Sequence, residues 1–270
     1  MAVTHFIQTI WSKSILDNLV VKCKLVQNCH REYEGDCKYA QSVKILGVGE
    51  PTLGDYTGAD ITIEDMSDAS QLLTIDQAKY FAFYVDDVDK AQSVPGLPEK
   101  FQEKAVHKLA VARDSFVANL IKSVTGNVTT ATALGADAVK SAIDAAIIAL
   151  RERNFDEDGV IEITPAVYNL FKNNLITLST DNPDYIKRGI VGVYDGFEVV
   201  MSNNLAKDTT YAYCAVRGKK AIAFAGQLEK VEACRAEKRF ADIVKGLDVY
   251  GGKVIDTDRI QVIKVPVKAS

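Results

Sequence analysis

Three carboxylates, Asp86, Asp87 and Asp89, follow an apolar strand-like run and are the first candidates for acid/base or metal chemistry. The chain has only 3 histidines, and none of them is close to these carboxylates in sequence. Acidic residues at the end of a strand commonly face solvent or cap the turn that follows. We therefore interpret the cluster as a solvated strand end. A cytosolic α+β enzyme that uses these carboxylates is the less favoured alternative.

A second candidate is a calcium-binding loop that begins at Asn154. Asp156, Asp158 and Gly159 follow at its third, fifth and sixth positions, as calcium binding requires. The twelfth position, which supplies a bidentate Glu in such loops, is Pro165. Without its strongest ligand the oxygen cage is incomplete, so the pattern indicates a polar turn between a helix and a strand.

The remaining motif candidates are also incomplete. Gly47 and Gly49 begin like a phosphate-binding glycine loop, but Thr52 occupies the position of the third glycine and no helix pattern follows. The 5 cysteines lack the paired spacing of a zinc site, and their odd number indicates reduced thiols. Nucleophile-elbow, P-loop and HExxH motifs are absent from the sequence. The sequence therefore predicts no catalytic, cofactor-binding or metal-binding residue, and no enzyme activity.

Composition limits the possible partners. The 36 acidic and 32 basic residues give a net charge of -4, and no Lys/Arg block is present that would bind nucleic acid tightly. No apolar run reaches the roughly 18 residues of a membrane span, and the N-terminus lacks a secretory pattern. We therefore expect a chain that stays in the cytosol where it is made and has no membrane partner.

Residues 42–85 are the segment that points to assembly. Short strand-like runs alternate there with Gly, Pro and Asp, so the segment has little core of its own. Such a segment is either a ragged subdomain or a limb that completes its packing on a neighbouring chain, and the second option means assembly. An amphipathic helix near the N-terminus, which contains Trp11, packs either on its own domain or under an adjacent subunit. The candidate inter-subunit contacts are Trp11, Leu53, Asp55, Tyr56, Ile61, Ile63 and Leu73.

A long helix is predicted over residues 98–122. At 1.5 Å per residue it spans about 37 Å, and apolar side chains recur along it every three or four residues. This periodicity predicts a helix that is packed on one side. We expect its Leu109 and Phe116 to pack against late strands near Val249 and Ile263.

Two further helices are predicted, one over residues 136–154 and one that begins at Pro165 with Thr164 as its N-cap. A loop at residues 125–135 precedes them, and most of the sequence after residue 188 has the pattern of strands. This arrangement is typical of an α+β fold. The predicted buried face of the first of these helices consists of Val139, Ala142, Ile143, Ala146, Ile147 and Leu150.

The order of these parts resembles a tailed-bacteriophage major capsid protein, a coat or head protein, of the Hong Kong 97 fold. The segments that carry the resemblance are 48–93, 146–171, 188–205 and 232–254, and the likeness extends over most of the chain. The domains that it implies are an N-terminal arm (1–41), an extended β-hairpin loop (42–85), a peripheral domain with a long spine helix (86–135), an axial domain (136–215) and strands that return to the peripheral domain (216–270).

The resemblance also implies a structural function. Many copies of the chain, grouped in hexamers and pentamers, would form an icosahedral shell around double-stranded DNA. The implied partners are the chain itself, a separate scaffolding protein, a portal protein and non-specifically packaged DNA. The implied location is the virion, with assembly in the host cytoplasm. The loop tip at 49–60 contains no Lys, so the Lys–Asn cross-linking of some relatives is not expected. An encapsulin-like shell that holds protein cargo is the main alternative.

Overall fold

The structure, a computed structural model, describes residues 19, 22–34, 42–48, 68–86, 97–173, 190–236 and 241–268. In this part of the chain, helix α1 spans Leu97–Ser123, α2 spans Ala136–Arg151 and α3 spans Pro165–Asn173. The strands are β1 (Ser42–Val48), β2 (Asp68–Thr74), β3 (Gln77–Asp86), β4 (Val128–Thr130), β5 (Gly159–Ile163), β6 (Ile190–Tyr194), β7 (Phe197–Met201), β8 (Tyr211–Gly218), β9 (Ile222–Arg235), β10 (Ala241–Val254) and β11 (Ile260–Pro266).

Three of the four predicted helices are present at nearly the predicted positions, and the fourth, the amphipathic helix that contains Trp11, lies almost entirely outside the described residues. α1 is one residue longer than predicted at each end, and α2 ends at Arg151, shortly before Asn154 adopts a positive φ of 56°. Thr164 caps α3, because its Oγ1 accepts a hydrogen bond from the N–H of Val167, 3.4 Å away. The six residues predicted for the inner face of α2 are all buried. Helical periodicity is visible within one segment of sequence, which explains this agreement.

The larger sheet has six strands in the order β4-β11-β8-β5-β7-β6. Its inner strand β5 is fully buried; α2 packs on one face of the sheet, and α1 packs on the other face, against β8 and β11. Neighbouring residues of β11 divide between the faces: Val262 belongs to the core on the α1 side and Ile263 to the core on the α2 side. The predicted packing of Ile263 against α1 is therefore wrong, because one step along a strand reverses the face.

A second sheet has three antiparallel strands in the order β3-β10-β9. α1 packs on this sheet through Phe116, whose ring meets the ring of Tyr250 edge to face at a centroid distance of 5.4 Å. Phe116 therefore packs on the predicted late strand, but through Tyr250 and not through Val249, because neighbouring residues of a strand lie on opposite faces. Leu109 is buried in the same core. Helix α1 is therefore shared by both sheets.

The segment predicted as one extended loop, 42–85, is divided between two sheets. β1 and β2 pair with each other as an antiparallel hairpin, whereas β3 pairs with β10. A strand needs a neighbour for its backbone N–H and C=O groups, and β10 provides one within the same chain. Likewise β11, which is part of the expected return strands 216–270, lies inside the six-stranded sheet and not beside β9 and β10.

Candidate assembly surface

The hairpin β1–β2 is held in place by its own subunit. Midway along the hairpin, Gln71 Nε2 donates a hydrogen bond to the carbonyl oxygen of Ile255, 3.0 Å away. The last residue pair in the register joins Val48 to Asp68, so the far end of the hairpin leads into residues 49–67. Residues 49–67 are therefore attached to a hairpin that is packed on its own subunit, so a contact that they make with another chain would be linked to this core.

Leu73 is fully buried within its own subunit, where it packs against Ala223 and Ala225 of β9. The prediction that Leu73 contacts a neighbouring subunit is therefore wrong, because its side of the hairpin already faces β9. The adjacent Leu72 points to the opposite side of the strand and is 53% exposed. The other six candidates lie outside the described residues and stay predictions: Trp11, Leu53, Asp55, Tyr56, Ile61 and Ile63.

The three-stranded sheet exposes aromatic side chains on the face opposite α1. Tyr80 is 80% exposed and Tyr84 is 60% exposed. The register places Tyr80 opposite Leu247 and Tyr84 opposite Ile243, so these four side chains share one face. An open groove of about 490 Å³ lies along it beside Tyr80 and Leu247. Large exposed apolar groups that lie together mark an interaction surface. We name this surface the outer aromatic face: Tyr80, Ala82, Tyr84, Ile243, Lys245 and Leu247.

The other face of the same sheet is closed by α1. Arg113 of α1 donates two hydrogen bonds to the carboxylate of Asp248 on β10, and the one from Nε to Oδ2 is 2.9 Å long. The Arg113 guanidinium carbon lies 5.8 Å from the ring centroid of Phe224 and 5.9 Å from that of Tyr250. Both members of the ion pair are buried. Loss of one partner would leave the other charge uncompensated, so the pair ties α1 to this sheet.

The segment 24–29, which leads from the N-terminal part of the chain into the core, is held from two sides. It contains the 3-10 helix Val26–Asn28. On one side, the buried carboxylate of Asp114 on α1 accepts hydrogen bonds from three consecutive backbone N–H groups of this segment, at 3.0–3.3 Å. Burial raises the pKa of Asp114, and these hydrogen bonds oppose the increase.

On the other side of the segment, Arg217 of β8 donates hydrogen bonds to the carbonyl oxygens of Leu25 and Asn28, at 3.2 and 2.7 Å. Its Nε and Nη2 also bind the carboxylate of Glu162 on β5, at 3.0 and 2.7 Å. Both charged side chains are fully buried. Burial also raises the pKa of the adjacent Cys29 thiol to about 11. We name the three charged residues that hold the segment the clamp: Asp114, Glu162 and Arg217.

Sequence reasoning did not identify the clamp. Glu162 and Arg217 each interrupt an otherwise apolar strand, and a charged residue between buried neighbours is the signal that could have found them. Glu162 falls within the candidate calcium loop, but its carboxylate is bound by Arg217. Residues 152–158 connect α2 to β5, which confirms the predicted turn between a helix and a strand.

Among the residues that the structure describes, no group of three His, Cys, Asp or Glu side chains is arranged to hold a metal ion. Asp87, Asp89 and the side chain of Asp86 lie outside the described part of the structure. Among the helices that the structure describes, none combines the length and the apolar character needed to cross a membrane.

Comparisons with known proteins agree with this architecture. A family model described as "Phage capsid protein" matches residues 68–264. A structure from Mycobacterium phage Che8 is 28% identical, with a TM-score of 0.71 over 88% of this chain and 90% of that chain. The capsid of Cyanophage P-SCSP1u is 19% identical, with a TM-score of 0.66 over 86% and 84% of the two chains. No curated protein is significantly similar in sequence.

A virus-like particle from Pyrococcus furiosus also shares the fold, with a TM-score of 0.60 and 13% identity over 97% of this chain and 100% of that chain. The family match extends from β2 into β11 and so includes all three helices and strands of every sheet. It covers well over half of the chain. The chain therefore belongs to the phage capsid protein family, as a major capsid protein with the α+β Hong Kong 97 fold.

Proposed function

We propose that the chain builds the icosahedral head shell of a tailed bacteriophage, in hexamers and pentamers, and that this shell encloses double-stranded DNA. The observation that carries the proposal is the family match over residues 68–264. A shell subunit needs a rigid core and surfaces that are left open to other copies. The helix-covered six-stranded sheet and the outer aromatic face supply these two features.

In this shell, the hairpin β1–β2 together with residues 49–67 serves as the extended loop that reaches a neighbouring subunit. Residues 1–41 serve as the N-terminal arm, and the clamp holds segment 24–29 of this arm on the core of its own subunit. The peripheral domain contains α1 and the three-stranded sheet, and the axial domain contains α2 and α3. This division assigns folding and contact roles to different parts of the subunit.

The proposal includes a separate scaffolding protein, a portal protein and assembly in the host cytoplasm. The net charge of -4 supports a container for DNA, since a mildly acidic wall does not bind phosphates tightly and the DNA must leave through the portal. An encapsulin-like shell with protein cargo is the second candidate. The observation that favours it is the fold shared with the Pyrococcus furiosus virus-like particle.

Expression of the full chain, with and without the genes that flank its own, tests the proposal. We expect negative-stain microscopy to show closed or partly closed shells, and shells formed with the flanking genes to hold nuclease-protected DNA or scaffold. Shells that contain a co-purified enzyme and no scaffold would favour the second candidate. A protein that stays monomeric in every combination and at high concentration would contradict both.

A further inference from the structure

Among the described residues, β3 is a terminal strand of its sheet, and the strand itself carries few of the features that normally prevent an edge from pairing. β10 occupies one of its edges through ten consecutive residue pairs, and no other strand of the described residues pairs with β3. Its ladder with β10 has no bulge, and its sequence, QAKYFAFYVD, has no proline. Natural edge strands normally carry such devices, because an open apolar edge pairs with other chains. Charges occur only near its two ends, at Lys79 and Asp86.

The middle of β3 is a sequence palindrome, Tyr80-Phe81-Ala82-Phe83-Tyr84. In antiparallel pairing of two copies centred on Ala82, Tyr80 of one copy lies opposite Tyr84 of the other, and Phe81 lies opposite Phe83. The tyrosines and Ala82 share the outer aromatic face, so the tyrosines of the two copies would form one continuous surface. Aromatic cross-strand pairs are favourable, and a palindrome provides them on both sides of a two-fold axis.

We propose that β3 joins two copies of the chain by antiparallel strand addition across a two-fold axis. The resulting interface is isologous, since the same edge is used by both subunits. This proposal rests on the proposed shell function, because an icosahedral shell contains two-fold axes between neighbouring subunits. The palindrome favours a second copy of β3 as the partner of this edge, because only pairing with an identical strand makes use of a symmetric sequence. A loop or a scaffold segment would not need the edge to have a symmetric sequence. The same register brings Lys79 of one copy close to the strand end that carries Asp86 in the other.

Cysteine cross-linking tests the pairing and its register. Ala82 is exposed and would face its own counterpart across the axis, so Ala82→Cys should give a disulfide-linked dimer under mild oxidation. Ala78 is exposed on the same strand, but its two copies would lie about 27 Å apart, which makes Ala78→Cys the matched control. Both variants are made in a chain with Cys37→Ser and Cys234→Ser. We expect about tenfold more dimer from Ala82→Cys.

A mixture provides the check of register. Ala78→Cys protein and Asp86→Cys protein should form a cross-link only when they are mixed, because positions 78 and 86 lie opposite each other in the proposed pairing. Equal cross-linking by Ala82→Cys and Ala78→Cys would overturn the proposal. Cross-linking of Ala82→Cys to a residue within 49–67, or to another protein, would also contradict the proposal, because it would show that a different segment binds the edge of β3.

Electron microscopy of the same samples distinguishes a failure of the β3 pairing from a failure of the proposed shell function. Shells that assemble without the Ala82→Cys dimer would overturn the two-fold pairing and leave the proposed function intact. The Ala82→Cys dimer in solution without any shell would support the pairing and count against the shell. The absence of both, at protein concentrations that saturate assembly in the parent chain, would contradict both proposals.

Discussion

The two main sheets differ in how much of their surface the chain itself covers. The six-stranded sheet has α2 on one face and α1 on the other, and its inner strand β5 is fully buried. The three-stranded sheet has α1 on one face, but Tyr80 on the opposite face is 80% exposed. The first sheet completes its core within one subunit. The second leaves an aromatic face exposed among the described residues and contributes the strand edge of the proposed pairing, so we expect stability and assembly to depend on different residues.

The largest expected effect on folding comes from the clamp. Arg217→Met would leave the carboxylate of Glu162 buried without its partner and two backbone carbonyl groups without their donor. We expect a loss of about 3–5 kcal/mol in the free energy of unfolding, measured by urea denaturation. Adding Glu162→Leu to this variant should recover part of the loss, because the buried charge is then removed. A single variant as stable as the parent would show that the six-stranded sheet does not depend on this pair.

Truncation of the long helix should have the next largest effect. Leu109 is 5% exposed in the core shared by α1 and both sheets, so Leu109→Ala should cost about 2–5 kcal/mol by leaving a cavity. Leu72→Ala is the control, since Leu72 is 53% exposed and its loss should change stability by no more than about 0.5 kcal/mol. Denaturant midpoints and the yield of soluble subunit measure both. Equal losses of unfolding free energy in the two variants would show that Leu109 contributes no more to stability than the exposed Leu72.

Alkaline pH should destabilise the buried core by an amount that increases with each pH unit above 9.0. Burial raises the pKa of Cys23 and Cys214 to about 12 and that of Cys29 to about 11, from an ordinary value of 9.0. Between these two pKa values, the thiol keeps its proton only in the folded state. Its contribution to stability is therefore complete below pH 9.0 and is lost as the pH rises toward the folded pKa. Each thiol should lower stability by about 1.4 kcal/mol per pH unit in this window.

Unfolding curves between pH 8 and pH 11 check this dependence. In Cys214→Ala, one thiol is absent, so the decrease in stability per pH unit should be smaller than in the parent, whatever the cost of the small cavity. The exposed Cys234 is the control, because Cys234→Ala removes no buried thiol and should leave the slope unchanged. Identical slopes in all three proteins would mean that the buried thiols do not contribute.

The smallest effect on folding is expected on the outer aromatic face. Tyr84→Ser removes a cross-strand contact with Ile243 from a face that is mostly exposed, so the free energy of unfolding should fall by less than about 1 kcal/mol. Particle yield in sedimentation should fall much more, since the same side chain is placed at the contact between copies. A variant that unfolds, or one that assembles like the parent, would contradict the assignment of this face to assembly and not to folding.

Local sequence patterns were enough to predict helices α1–α3 and the side of α2 that is buried. The buried positions Val139, Ile143, Ile147 and Leu150 follow from periodicity within sixteen residues, and Thr164 before Pro165 marks the start of α3 without reference to any distant segment. The ordered series of segments also sufficed to indicate the capsid fold. These features depend on neighbours in sequence, and for that reason they could be predicted.

The pairing of strands and the pairing of buried charges could not be predicted from local sequence and are known from the folded structure. Arg217 and Glu162 are 55 residues apart in sequence, and no local pattern shows that they form a pair around segment 24–29. The burial of Leu73 against β9 and the position of Ile263 on the α2 side depend on register, where a shift of one residue reverses the face. Strand pairing and burial of charge are non-local, so their outcome appears only when the whole chain is folded.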